Sequence, residues 1–199
     1  MLAEMTIDRL QRLGPVFRSR DAIEAGVSWR DLYMLRDDGV IIELSRGLYQ
    51  LADAAGSGNV DFVIVCARAP RGMVCMNSAL AYWDLTDEIP AAVHLAVPEG
   101  AHRPTIDHPP TKVHVFNAAT FGLGRIEVHE EHDERFWITD RERTVIDAFR
   151  LRHQLGDVVA HAALRRYLAD RPKPARLVEI ARALRVATPV TEALRVLQA

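Results

Sequence analysis

Apolar positions along the chain first recur at helical spacing and then switch to strand spacing near residue 40. Ile7, Leu10 and Leu13 form an i, i+3, i+6 stripe, which predicts a first helix over 7–13 with Thr6 as its cap and Gly14-Pro15 as its stop. A second helix is predicted over 19–25, capped by Ser19, with Ala22, Ile23 and Ala25 inward. Gly26 suits the left-handed residue that closes it. Ser28 is placed to cap a third helix, with Leu32 and Leu35 inward and its end near Gly39. Residues 40–44 and 48–51 then alternate as strands across the polar connection Ser45-Arg46-Gly47, the pattern of a hairpin.

The rest of the chain reads differently. The small-residue run 54–59, AAGSGN, is the expected linker. It divides the chain into an expected first domain over 1–53 and a second domain over 60–199. In the second, 62–67 reads as a buried strand and Asn77 as the cap of a helix reaching about Trp83. Segments 94–97, 113–116 and 126–129 read as strands between Pro- and Gly-rich loops. Thr139 and Glu142 have capping-box spacing, opening a helix that runs to about Leu155 and is closed by Gly156. Further helices are expected over 157–168, over 175–184 and, with Thr188 as cap and Pro189 at the first helical position, to the end. The expected fold class is α+β: an N-terminal winged helix-turn-helix, then a mixed α+β domain ending in helices.

Composition narrows the function classes. With 199 residues, 49% of them apolar, the chain can bury a core without staples. Cys66 and Cys75 lie in or beside apolar runs and read as reduced core thiols. No 18-residue apolar stretch occurs, and the opening residues lack a signal peptide's basic start and long apolar centre. The expectation is a cytoplasmic protein without membrane contact. Net charge is only −2, but it is unevenly placed. Residues 1–52 carry 7 Arg against 8 acids, 53–134 carry 5 basic against 12 acidic residues, and 135–199 carry 13 against 7.

The front unit suggests chemistry. The second helix of a helix-turn-helix stands proud of its domain and fits a major groove. Removing the inward positions leaves Ser28, Trp29, Arg30, Tyr33 and Arg36 to face outward, with Arg46 at the hairpin tip. Arg30 is the candidate for bidentate contact to guanine, Ser28 and Tyr33 for phosphate or base edges, and Arg46 for the backbone or minor groove. The competing reading is a dimerisation module or a structural cap. In the last third, Arg141, Arg143, Arg150, Arg152, Arg165 and Arg166 fall on two consecutive helices at spacings that suggest related faces. They are candidate contacts to DNA or to an acidic protein partner, set against a plain solvated face.

The segment GVSWRDLYMLRDDGVIIELSRGLYQL also resembles the winged helix-turn-helix of the AbiEi family, the antitoxin half of AbiE-type toxin-antitoxin systems. The likeness lies in Gly26-Val27-Ser28, in the exit from Leu32 to Val40 and in Arg46-Gly47-Leu48-Tyr49. It extends to MNSALAYWDLTDEIPAAVHLAVPEG (76–100) and ITDRERTVIDAFR (138–150). What the resemblance implies is an antitoxin that binds inverted repeats in its own promoter as an autorepressor. It also implies neutralisation of a cognate nucleotidyltransferase-like toxin through the C-terminal domain.

Catalysis is not expected. HEEHDE (129–134) contains an H-x-x-H spacing, but on a strand end the two His diverge and no third ligand completes a set. Neither Lys112 nor Lys173 follows a Glu-x pattern of a restriction-type nuclease, and no phosphate-binding glycine motif follows a strand. Gly122 and Gly124 read as turn formers, and Ser78 lacks a nucleophile elbow. No cofactor or metal is expected, and the oligomeric expectation is a monomer or weak dimer. Two other classes remain open: a ligand-responsive winged-helix transcription factor without a toxin partner, and a nucleic-acid enzyme targeted by the front domain.

Overall fold

The structure is a computed structural model that describes residues 2–53, 58–106, 108–129 and 135–198. Contacts divide it into two units, Met1–Ala67 with Val128–Phe136, and Arg68–Glu127 with Trp137–Ala199. Most of the expected linker, 54–57, and residues 130–134 of the H-x-x-H stretch lie outside the described residues.

The first unit begins with α1 (Leu2–Gln11), β1 (Val16–Arg18), α2 (Ser19–Glu24), α3 (Trp29–Asp37), β2 (Ile41–Ser45) and β3 (Leu48–Leu51). The fold is mixed α+β, and this opening is a winged helix-turn-helix. Both glycine stops work as local chemistry dictates. Gly26 has φ +83°, and behind it the amide of Gly26 reaches Ile23 O at 2.9 Å and that of Val27 reaches Ala22 O at 3.0 Å, the paired bonds of a Schellman closure. Gly39 repeats this at the end of α3, with Val40 N to Leu35 O at 2.8 Å. Ser28 caps α3 and Asp31 completes a capping box. A nine-residue helix is marginal alone. Burial of Leu32 and Leu35, about 1.5–3 kcal/mol each, holds it against a core of Leu10, Phe17, Ala22, Val27, Ile41, Tyr49 and Leu51. The sheet has order β1-β3-β2. β1 is too short to show a period and was not expected.

Several expectations at element ends are corrected. α1 starts before Thr6, which is a buried helical residue rather than a cap. Ser19 is the first helical residue of α2, behind Arg18 as cap. Ile23 is 36% exposed, not inward. The expected strand 62–67 is a helix, α4 (Val60–Arg68). Its apolar run has no period to separate the two states, and the amides of Phe62 and Val63 close the first turn on Asn59 O.

The second unit contains β4 (Met73–Val74), α5 (Met76–Tyr82), β5 (Val93–Pro98) and β6 (Thr111–Phe116), and the division between units falls within β7 (Arg125–His129) and β8 (Arg135–Thr139). Helices α6 (Arg141–Arg150), α7 (Arg152–Leu155), α8 (Asp157–Ala169), α9 (Pro174–Ala183) and α10 (Ala187–Gln198) follow. The sheet order is β6-β5-β4-β8-β7, with β5 and β6 parallel. Cys75, not Asn77, precedes the first turn of α5. Asp140 rather than Thr139 caps α6, accepting from Arg143 N at 2.6 Å. Thr139 ends a strand, where its hydroxyl meets that of Thr144 at 2.8 Å. Glu142 turns inward to accept from the Tyr167 hydroxyl at 2.9 Å, so no capping box forms. The helix expected to reach Leu155 breaks at Leu151. α10 starts at Ala187, placing Thr188 and Pro189 inside its first turn. The core of this unit gathers Val145, Ile146, Phe149, Ala160, Leu164 and Tyr167 with Leu177 and Ile180 around α6. Cys66 and Cys75 are buried free thiols.

Candidate nucleic-acid interface

Capping, core contacts and the wing together decide what α3 presents. Ser28 and Asp31 are occupied by the cap: Asp31 N donates to Ser28 Oγ at 3.1 Å, and Ser28 Oγ donates to Asp31 Oδ2 at 2.7 Å. The Ser28 side chain is therefore bound to its own helix rather than extended toward a ligand. With Leu32 and Leu35 inward, the outward face carries Trp29 (50% exposed), Arg30, Tyr33 (47%) and Met34 (45%). Trp29 and Tyr33, one helical turn apart, stack with ring centroids 6.1 Å apart and planes at 29°.

Arg36 does not extend freely. It lies 2.9 Å from Asp37 and 3.6 Å from Glu43 on β2, and its guanidinium sits over the Tyr33 ring at 5.1 Å. The hydrogen bond to Asp37, with Glu43 adding, raises its pKa. Glu43 also accepts from Gly47 N at 3.4 Å, so one carboxylate touches both the recognition helix and the wing turn. Gly47 has φ +71°, and Ser19 N donates to its carbonyl at 2.9 Å, which fastens the hairpin to the start of α2. A register shift between Glu43 and Ser45 bends β2 where it enters the turn. Arg46 is exposed beside it. Among the described residues neither Arg30 nor Arg46 has an ion-pair partner, while Asp31, Asp37 and Glu43 are each engaged by the contacts above. Asp37 and Glu43 are thus directed at Arg36 and Asp31 at the helix cap, so none of the three is paired with Arg30 or Arg46. Met34 and Ile42 (50% exposed) are exposed apolar residues of the same unit that the sequence reading does not single out. Met34 follows Arg30 at i+4, and the alternation in β2 requires one of Ile41 and Ile42 to face out.

The second arginine group is divided between the core and the surface. Arg143 is fully buried, which removes it from any contact with DNA or a protein partner. Its Nε donates to Asp147 at 2.9 Å, and its Nη1 donates to the carbonyls of Thr120 at 3.0 Å and Leu123 at 2.6 Å. Arg150 meets the other oxygen of Asp147 at 2.9 Å and lies 4.4 Å from the Phe116 ring centre. Burial pushes the Asp147 carboxyl above its ordinary value, and the two guanidinium groups oppose that. Arg141 pairs with Asp170 at 3.0 Å, Arg152 with Asp157 at 3.3 Å, and Arg166 with Asp87. Arg165 is exposed and has no ion-pair partner among the described residues.

Elsewhere in the second unit, His94 and His114 stack on adjacent strands with Nδ1 and Nε2 3.1 Å apart. Burial, then His114 and Lys112, lowers the His94 pKa to about 4. An open cleft of about 370 Å³ is lined by Arg71, Glu99, Phe121 and Arg125. Among the described residues no group of three metal-ligating side chains occurs and no helix is long and apolar enough to cross a membrane.

Residues 5–52 match the model of a family described as a transcriptional regulator, AbiEi antitoxin. The matched stretch is the winged helix-turn-helix, and the family is one of regulators and antitoxins rather than of enzymes. No curated protein matches the chain. Among solved structures, the chain is similar in fold to the RV2827C protein from Mycobacterium tuberculosis, with TM-score 0.59 and 14% identity over 89% of this chain and 69% of the other.

Proposed function

We propose that the protein is a DNA-binding autorepressor and antitoxin. Residues 1–53 bind double-stranded DNA in the protein's own promoter, and residues 60–199 counteract a nucleotidyltransferase-like toxin in the cytoplasm. The observation that carries the first half is the outward face of α3, where Arg30 has no ion-pair partner among the described residues, together with Arg46 at the wing. Arg30 reads a base edge in the major groove and Arg46 follows the backbone, the division of labour expected of helix and wing. The match of residues 5–52 to a regulator and antitoxin family supports the same reading.

Of the six arginines on 141–166, Arg165 and the exposed parts of Arg152 and Arg166 are the ones placed to meet an acidic partner. The chain performs no catalysis in this account and needs no cofactor. A gel shift with the protein's upstream DNA tests the DNA role: Arg30→Ala weakens binding about tenfold or more, within the 1–3 kcal/mol of a good base contact, and Arg46→Ala weakens it with a salt slope shallower by about 0.9. Full affinity in both variants rejects the assigned surface. Co-expression with the neighbouring toxin gene tests the antitoxin role, since growth must be restored by the second unit's surface and not by Arg30.

A further inference from the structure

We propose that Trp29 and Tyr33 recognise thymine in the major groove by packing on its 5-methyl group, and that Arg36 is a positioning residue for this contact. The inference rests on the DNA-binding reading above. Two large aromatic side chains are half exposed on the helix that faces outward, and neither the Trp29 indole N–H nor the Tyr33 hydroxyl has a hydrogen-bond partner among the described residues. What they present is chiefly apolar ring surface. The thymine methyl is the apolar substituent that projects into the major groove, so this surface has a complementary feature there. Arg30 and Arg46 on the same unit complement the phosphates and bases around it.

The pair is also pre-set. Tyr33 is held between the Trp29 ring at 6.1 Å and the Arg36 guanidinium at 5.1 Å. Arg36 is itself anchored by Asp37 and Glu43. These contacts lower the rotamer freedom the pair has to lose on binding. The charge of Arg36 is spent on this brace, so it contributes to ring placement rather than to phosphate contact.

The test compares the upstream duplex made with thymine and the same duplex made with uracil, which removes only the methyl groups, using an unrelated duplex in both forms as the baseline. Wild-type protein is expected to bind the uracil duplex about fourfold more weakly per contacted methyl, from the free energy of burying one such group. A Trp29→Ala/Tyr33→Ala variant binds the thymine duplex as weakly as the uracil one and no longer distinguishes them. Arg36→Gln loses part of the discrimination at unchanged salt dependence. A fall of about 0.9 in the salt slope for that variant marks a phosphate contact and overturns its positioning role. Equal wild-type affinity for both duplexes, still lost in Arg30→Ala, overturns thymine recognition while leaving DNA binding intact. No binding to either duplex fails the DNA reading and this inference with it. Unchanged discrimination in the aromatic double variant, with a shift in its sedimentation, assigns the rings to contact with a second copy and also overturns the proposal.

Discussion

Two arginines of the winged unit, Arg30 and Arg46, and two on α6, Arg143 and Arg150, do opposite work. Arg30 and Arg46 point outward without ion-pair partners among the described residues, whereas Arg143 is wholly buried and Arg150 shares its carboxylate, Asp147. By charge count the order is reversed, because the front segment is net negative and residues 135–199 are the basic ones. The difference teaches that net charge predicts a binding surface poorly. What matters is whether each cation already has an internal partner.

The largest effect expected from this contrast comes from Asp147→Ala. It leaves Arg143 buried beside Arg150 with no carboxylate between them, and breaking a buried pair in this way costs about 3–5 kcal/mol. Urea unfolding checks it. By contrast Glu43→Ala, which breaks a partly exposed pair in the winged unit, is expected to cost about 1 kcal/mol or less. Equal losses would erase the distinction between the two groups.

Next in size is Gly124→Ala. Gly124 has φ +68°, and a Cβ there would lie 2.6 Å from the Cβ of Arg143. Strain and crowding at this turn are expected to remove about 1–3 kcal/mol, read as a lower urea midpoint. The loss sharpens the claim that the 120–124 loop, whose carbonyls receive Arg143, helps to hold that buried guanidinium.

A pH effect follows from the stacked histidines. His94 titrates near 4 when folded, from an ordinary value of 6.5. Between those values the unfolded chain holds a proton that the folded chain does not. Stability therefore rises with pH through this window and falls as the solution is acidified from 6.5 toward 4. His94→Gln is expected to flatten that part of a melting-temperature profile. An unchanged slope would contradict the burial assigned to the pair. The smallest effect is that of Arg30→Ala and Arg165→Ala on folding, each within about 0.5 kcal/mol of wild type.

The winged unit was legible because its signals are local. Gly26 and Gly39 close helices through bonds spanning five residues, Ser28 caps through a bond spanning three, and the β2–β3 pairing follows from alternation around Arg46-Gly47. Arg143 was not legible for a physical reason. A pair four residues apart on a helix, Arg143 and Asp147, has the same spacing on a solvated face as in a core, and the carbonyls of Thr120 and Leu123 that complete its burial lie more than 18 residues away in sequence. The run at 62–67 failed differently: continuous apolar residues carry no period, and its length of six suits a strand as well as part of a helix. In the candidate site, α3's inward and outward residues could be read from spacing. The Arg36 brace could not, because Glu43 belongs to another element.

The most direct test of the outward-arginine account is the salt dependence of binding to the protein's upstream DNA, measured by fluorescence anisotropy. Wild type is compared with an Arg30→Ala/Arg46→Ala variant and an Arg152→Ala/Arg165→Ala variant. The account predicts weaker binding for the first, with a slope of log affinity against log salt shallower by about 0.9 for each phosphate no longer neutralised, and no change for the second. Wild-type affinity and slope in the Arg30/Arg46 variant, with weakened binding appearing instead in the Arg152/Arg165 variant, would contradict it.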